Sequence, residues 1–326
     1  MKITVFDESL IKQSAIYSWV SLSWEPQYNE IGFFILSMRH SNESFNSIKK
    51  GWFLTFDEDT TKTVMLVDTV QVKNGVVAFS GKSAVNLLKR RLSTSVIENQ
   101  NAETAIRSLL AEMTPIDHFV IGASSGLTDV FKGQISDKQV VDYVTAIAQN
   151  TDIGFKTVKQ GGNIVFYLYK PSVNAYLKFA QKFGNIGKED YTTSDTEFYN
   201  VAYVAGAGQD ASRVHVWAGN TELTGMERRE LYVDARDLQQ EENESANAYK
   251  QRLIARGEQR LLEQPIFEDI SFEVSDDVQL GEIINVYLDR IGLSVQARVT
   301  SINYVVQNNK MKKSIDVGIP IKLNRR

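Results

Sequence analysis

Apolar and polar residues alternate along most of the first 80 positions. The runs KITVF, AIYSWVSLSW, GFFILSM, GWFLTFDED, KTVMLVDTVQV and GVVAFSG are rich in β-branched and aromatic side chains. A period of two in such runs predicts strands with one buried face, and so a β domain. Between the last two runs, Lys73-Asn74-Gly75-Val76 puts Asn-Gly where a type I′ turn needs positive φ twice, which predicts a hairpin. At SAVNLLKRRL the period changes. Val85, Leu88 and Leu92 recur three and four apart, predicting a short helix behind Ser83 that closes the first sheet.

From 93 to 195 the pattern is mixed. Asn101 can cap AETAIRSLLAEM, which carries Ala105, Leu109 and Met113 on one face and ends before Pro115. Ser136-Asp137-Lys138-Gln139 fits a reciprocal cap opening VVDYVTAIAQ, with Val140, Val144 and Ile147 turned inward. GFKTV and IVFYLYK, joined through Gly161-Gly162, predict another hairpin. Strands return as YNVAYVAG, RVHVWAG and ELYVDAR. The acidic run Glu241, Glu242 and Glu244 then precedes SANAYKQRLIARGEQRLLEQ and Pro265. There Tyr249, Leu253, Gly257 and Leu261 fall at steps of four, while the early acids and Lys250, Arg252, Arg256 and Arg260 complement the dipole of a helix. Gly257 in mid-helix costs about 1 kcal/mol relative to alanine, and two readings stand: close approach of another backbone, or a tolerated surface glycine. The tail, IFEDISFEV, EIINVYLDR, LSVQARVTSINYVV and KSIDVGIP with turns at Ile291-Gly292 and Asn308-Asn309, predicts a small barrel or sandwich.

These patterns describe a mainly β chain with an α+β insertion: two small β-barrel-like domains, a mixed α/β domain and a connecting helix. The expected boundaries are 1–92 with 196–240 for the first β-barrel, 93–195 for the inserted α/β domain, and 241–326 for the helix and second β-barrel. A length of 326 residues supports several domains, since a single core usually stops growing below that size. The formal charge of -4 and pI near 5.6 give no electrostatic footprint for gripping a phosphate backbone. Without cysteine the chain has neither disulfides nor thiolate chemistry. MKITVFDESL lacks the features of a secretion signal, and no apolar run approaches the roughly 18 residues a membrane span needs. The chain is expected to fold in the cytoplasm or be released from it.

Motifs for chemistry are sparse. His40, His118 and His215 lie far apart, none in a zinc or triad spacing. GAGQD at 206–210 follows a strand but lacks the Lys-Ser/Thr and helix of a phosphate loop, so it is read as a strand-end turn. The acidic pairs Asp276-Asp277 and Glu241-Glu242 are read as solvated faces; a glycosidase gains no support from them. No catalytic, cofactor or metal site is expected.

One stretch stands out. Along RRELYVDAR, alternation puts Arg229, Leu231, Val233 and Ala235 on one side of a strand and Arg228, Glu230, Tyr232, Asp234 and Arg236 on the other. The second face is an ion-pair ladder. Exposed, each pair contributes about 0 to 1 kcal/mol; buried at a contact, losing one partner costs about 3 to 5. The ladder is therefore read as a structural joint, with an ordinary solvated strand as the alternative. No nucleophile, base or ligand set accompanies it as an active site would need.

The sequence resembles the tail hub, or baseplate hub, proteins of siphophages and related prophages, whose fold is similar to the central hub of contractile-tailed phages. The resemblance rests on YSWVSLSWEPQYNEIGFFIL, FSGKSAVNLLKRRL, YNVAYVAGAG, GMERRELYVDARDL, AYKQRLIARGEQRLLE and LGEIINVYLDRIGLSVQARVTSINYV, in that order. Phe34 stands where the family pattern has an acid, and Glu282 replaces a commoner Asp. The resemblance implies a homotrimeric ring at the virion tail tip, in which two β domains per subunit occupy similar positions and approximate sixfold symmetry. It also implies docking onto a tail tube or distal tail protein, contact with the tape measure protein and with a tail fibre or receptor-binding protein, and a channel that DNA crosses without specific binding. The ladder, with Gly257 on the nearby helix, would sit at the crossing between the two barrels. Two alternatives stay open. A tail-associated peptidoglycan hydrolase needs a carboxylate pair or metal site. A carbohydrate- or receptor-binding module would use exposed aromatics, for which Trp19, Trp24, Trp52 and Trp217 are available, though these are read first as core or interface anchors.

Overall fold

The computed structural model describes residues 1–208, 213–264, 267–274 and 276–318. The first seven strands are β1 (Ile3–Phe6), β2 (Lys12–Ile16), β3 (Ser21–Glu25), β4 (Phe33–Arg39), β5 (Phe53–Phe56), β6 (Met65–Lys73) and β7 (Val76–Ser83), with the one-turn α1 (Asn42–Asn46) after β4. Asn74 and Gly75 hold φ of 50° and 74°, so the β6–β7 hairpin closes through the turn its sequence predicts. The segment after β7 is a 3-10 helix, Ala84–Arg90, and Ser83 makes no side-chain cap bond to it.

Two short strands, β8 (Leu92–Ser93) and β9 (Ile97–Glu98), lead into α2 (Ala102–Glu112), whose first turn Asn101 caps by accepting from Thr104 N at 2.8 Å. Then come β10 (Phe119–Ile121), β11 (Gln134–Ile135), β12 (Lys138–Gln139), α3 (Val140–Thr151), β13 (Gly154–Gln160) and β14 (Asn163–Tyr169). The capping box expected at Ser136 to Gln139 does not form. Lys138 and Gln139 instead pair with Ser93 and Leu92, and strand pairing removes the reciprocal cap geometry. The β13–β14 hairpin and both helices are as expected, and they share one core built around Ile106, Tyr143, Ile147 and Phe166.

The remaining elements are β15 (Val173–Ala180), β16 (Ile186–Ser194), β17 (Val201–Ala205), β18 (His215–Gly219), β19 (Glu230–Asp234), α4 (Ala246–Leu262), β20 (Phe267–Val274), β21 (Ile283–Leu288), β22 (Leu293–Gln307) and β23 (Lys310–Gly318). Thirteen strands form one sheet in the order β16-β20-β23-β22-β3-β4-β7-β6-β5-β1-β2, with β15 paired to β21 and β21 to β22. Two groups are thus joined edge to edge. β1 to β7 form one; β15, β16 and β20 to β23 form the other. The seam is the antiparallel pair of β3 and β22, with Trp24 opposite Tyr304 and Leu22 opposite Val306. All four side chains are buried in a core common to both groups.

The chain divides into two compact units, residues 1–190 with 270–326, and residues 191–269. This corrects the expected boundaries in three places. The strands of 196–240 do not complete the first β domain: among the described residues β17, β18 and β19 pair with one another alone. Residues 173–194, placed in the insertion by sequence, supply β15 and β16 to the large sheet. The helix of 241–326 belongs to the unit of 191–269, not to the strands that follow it. The physical reason is common to all three. Alternation tells which face of a strand is buried and carries no information about which strand lies beside it.

Candidate interface site

β17 lies at the centre of the three-stranded sheet, antiparallel to β18 and parallel to β19, so β19 is an edge strand. α4 packs on one face. Ser245 caps its first turn, accepting from Ala248 N at 3.1 Å, and its buried residues are Tyr249, Leu253 and Gly257, three of the four in the predicted stripe, with Leu261 half-buried beside them. They cover Ala202, Val204, Ala218, Val233 and Ala235. A Cβ placed on Gly257 would stand 2.6 Å from Val204 Cγ2 and 2.7 Å from Ala218 Cβ. The glycine therefore marks a close approach, made by small side chains of the sheet.

The opposite face carries the ladder. Val233 is buried and Leu231 half-buried, whereas Glu230, Tyr232 and Asp234 face outward, as alternation requires. Arg228 Nε lies 2.6 Å from Glu230 Oε1, and Arg236 forms a fork on Asp234 with Nε at 2.9 Å from Oδ2. Arg229, on the other side of the strand, pairs instead with Asp195. A residue not singled out by sequence, Arg213, binds Asp234 Oδ1 at 2.6 Å, donates to Tyr232 Oη at 3.0 Å and also reaches the carbonyls of Ala205 and Gly206. Hydrogen bonds from Arg236 in the first place, then its charge and Arg213, hold the Asp234 carboxyl down at about 2. With Glu230 50% and Arg236 68% exposed in their side chains, solvent screens both pairs and they add little to stability within the chain. Charges on an edge strand also hinder unspecific strand addition, which is a second use for this pattern.

Aromatic residues complete the outer face. Tyr203 on β17 stacks on His215 at 5.2 Å and 7°, and lies 4.6 Å from Trp217. The Arg228 guanidinium covers the Trp217 ring at 4.9 Å. Trp217 and Tyr232 stay 42% and 59% exposed. The result is a row of aromatic rings closed by arginines that already have their carboxylate partners. Alternation along YNVAYVAG and RVHVWAG contained this row, but the register Tyr203 to Trp217 and Tyr203 to Tyr232 was needed to assemble it.

A second joint lies in the larger unit, where sequence reading placed nothing. Arg298 on β22 binds Asp152 Oδ2 at 2.7 Å and the Gly281 carbonyl at 2.6 Å, and its guanidinium lies 5.2 Å from the Tyr28 ring. Tyr28 Oη donates to Asp152 Oδ1 at 3.3 Å, and burial pushes its hydroxyl well above the usual range. Asp152 caps the end of α3 in the left-handed conformation at φ 56°, its backbone N–H donating to the Ala148 carbonyl.

Groups for catalysis are not gathered in either place. Among the described residues, no three His, Asp or Glu side chains converge as metal ligands. His118 contacts the Gly162 carbonyl at 3.0 Å and His40 packs beside Phe45. Asp277 pairs with Lys313 at 3.0 Å. Trp24 is fully buried, Trp19 and Trp52 pack against the main core, and only Trp217 faces outward. Of GAGQD, Gly206 donates its N–H to the Val214 carbonyl, while Gln209 and Asp210 lie outside the described residues, as do Pro265 and the end of KSIDVGIP. No described helix is long and apolar enough to cross a membrane.

Residues 2–319 match the family described as Siphovirus ReqiPepy6 Gp37-like protein. No curated protein matches. Among solved structures, the tail protein from Neisseria meningitidis MC58 is similar with a TM-score of 0.61 at 11% identity, covering 97% of this chain and 95% of that one. The 43 kDa tail protein of prophage MuSo2 from Shewanella oneidensis gives 0.60 at 13% identity, over 99% and 100%. Prophage tail protein gp18 from Listeria monocytogenes EGD-e gives 0.53 at 9% identity, over 97% and 94%. At these identities the likeness shows a common fold.

Proposed function

Because the chain belongs to the Siphovirus ReqiPepy6 Gp37-like family, we propose that it is the hub of a long-tailed phage or prophage tail, a homotrimeric ring at the tail tip. Three copies, each with two β groups, surround the tape measure end and the DNA exit channel and dock onto the tail tube or distal tail protein. The observation that carries this reading is the large sheet. One chain holds β1 to β7 and β15, β16 and β20 to β23 side by side, joined at the β3 and β22 edges, which is the arrangement a threefold ring needs to present six β units. The end-to-end likeness to tail proteins supports it. The net charge of -4 suits a channel that DNA crosses without adhering.

In this reading the outer face of β19 is a contact between subunits. Trp, Tyr and Arg are the residue types that carry interface energy, and here their side chains are already held in place, so little order is lost on association. Light scattering tests the reading. The purified protein should have a mass of about 110 kDa, three times 36.8 kDa, or should add that mass to its distal tail partner when the two are mixed. The pair Arg228→Glu and Asp234→Lys should shift that mass toward the monomer while leaving the thermal transition close to that of the wild type. A monomer under all conditions contradicts the proposal.

A further inference from the structure

Two tight hairpin turns of the larger unit share one backbone geometry and differ in one respect. Asn74 and Gly75 join β6 to β7 with φ of 50° and 74°, and Asn308 and Asn309 join β22 to β23 with φ of 51° and 59°. Positive φ at both central residues belongs to the type I′ turn, whose twist matches that of the flanking strands. All four residues are exposed. In the first turn alone the leading asparagine is followed by glycine, and Asn74-Gly75 is the one Asn-Gly pair in the chain.

That difference decides a reaction. A backbone nitrogen can attack the side-chain carbonyl of the asparagine before it, and glycine, without a Cβ, leaves its nitrogen unshielded and its dihedrals free to move. Both reacting groups are available here. Among the described residues the Gly75 N–H donates to no acceptor and the Asn74 side chain has no hydrogen-bond partner. A Cβ built on Gly75 would meet nothing within 4 Å. Gln71, Val72 and Lys73 are exposed as well, so fraying of the last pair of the hairpin, Lys73 with Val76, disturbs no packing. We propose that Asn74 is a site of spontaneous deamidation in the folded chain. Gly75 N bonds to Asn74 Cγ, the Cγ–Nδ2 bond breaks, and Nδ2 leaves as ammonia with the proton of the Gly75 N–H. Water then opens the cyclic imide. Cleavage between the nitrogen and Cγ gives aspartate; cleavage between the nitrogen and the main-chain carbonyl carbon gives isoaspartate, whose backbone runs through Cβ and Cγ. Water enters, ammonia leaves and nothing is oxidised or reduced. The two products differ in their effect on the fold. Asp-Gly suits the same turn, so aspartate keeps the hairpin closed and adds a negative charge. Isoaspartate lengthens the backbone of a two-residue turn. The pairing of Lys73 with Val76 and the 2.9 Å bond from His40 N to the Gly75 carbonyl then cannot both persist, and the hairpin tip comes away from the end of β4.

The native protein, kept in mildly alkaline buffer and sampled over time, tests this whether or not the chain assembles into a ring. Trypsin cleaves after Lys73 and Lys82 and releases NGVVAFSGK. Relative to a sample digested at once, that peptide should gain the mass of replacing NH2 by OH and divide into two chromatographic species, before the peptide holding Asn308 changes. Amide exchange at His40 should be faster in the isoaspartate fraction and unchanged in the Asn74→Asp variant, which keeps the turn. Equal rates at Asn74 and Asn308, an Asn74 peptide that stays unmodified, or conversion confined to chain unfolded in urea would each overturn the proposal.

Discussion

Asp59 is fully buried, yet among the described residues no cation pairs with it. Burial pushes its carboxyl upward, and four donors oppose the proton: Trp24 Nε1 and Thr63 N on Oδ2, each at 3.0 Å, and Thr61 N and Oγ1 on Oδ1 at 2.8 and 2.6 Å. An amide at this position would turn an N–H group toward donors. Asp59→Asn should therefore lower unfolding stability by about 2 to 3 kcal/mol, measured by denaturant titration. In FDEDTTKT three acids look alike, and only the fold separates Asp59 from the solvated Asp57 and Glu58. Asp234 is the opposite case, an exposed carboxylate readable from sequence. Its folded-state pKa of about 2 lies below the ordinary 3.8. Its contribution is therefore complete above about pH 4 and is lost as pH falls through 2. A carboxyl-resolved NMR titration should give a midpoint near 2, returning toward the ordinary value in Arg236→Ala.

The elements most legible in the sequence were those fixed by local chemistry. The Asn74-Gly75 turn, the Asn101 cap and the Tyr249, Leu253, Gly257 stripe each follow from residues within one or two turns of chain. Elements whose form depends on distant partners were misread. The cap at Ser136 gave way to pairing between β12 and β8, whereas the short helix expected behind Ser83 is present, in 3-10 form and without the cap bond. Gly257 supplies the test at this scale. Alanine would gain about 1 kcal/mol of helix propensity, but its Cβ meets Val204, stiff at χ1, and the Cβ of Ala218, fixed to backbone. Overpacking costs about 1 to 3 kcal/mol, so Gly257→Ala should be net destabilising in thermal or chemical unfolding. Arg298→Ala should likewise lower the stability of the larger unit, by about 1.5 to 3 kcal/mol, since it strips the guanidinium from Asp152 and the Gly281 carbonyl.

For the whole molecule, the mainly β character and the presence of two β groups were legible from composition and alternation, and the family from six motif blocks taken in order. Which strands belong to which group was not, because β15 and β16 join strands about 110 and about 80 residues further on and β3 joins β22 across most of the chain. At that seam Trp24, Phe56 and Tyr304 pack ring against ring, with centroids 5.8 and 5.9 Å apart, and the Tyr304 hydroxyl accepts from Thr60 N at 3.2 Å. The two groups thus share a core, a rigid pair suited to repetition around a threefold axis. Negative-stain imaging of the protein with its neighbouring tail proteins tests this most directly. The account predicts closed rings of three copies with six densities around a central opening. Single particles without rings, or rings of any other number of copies, would contradict it.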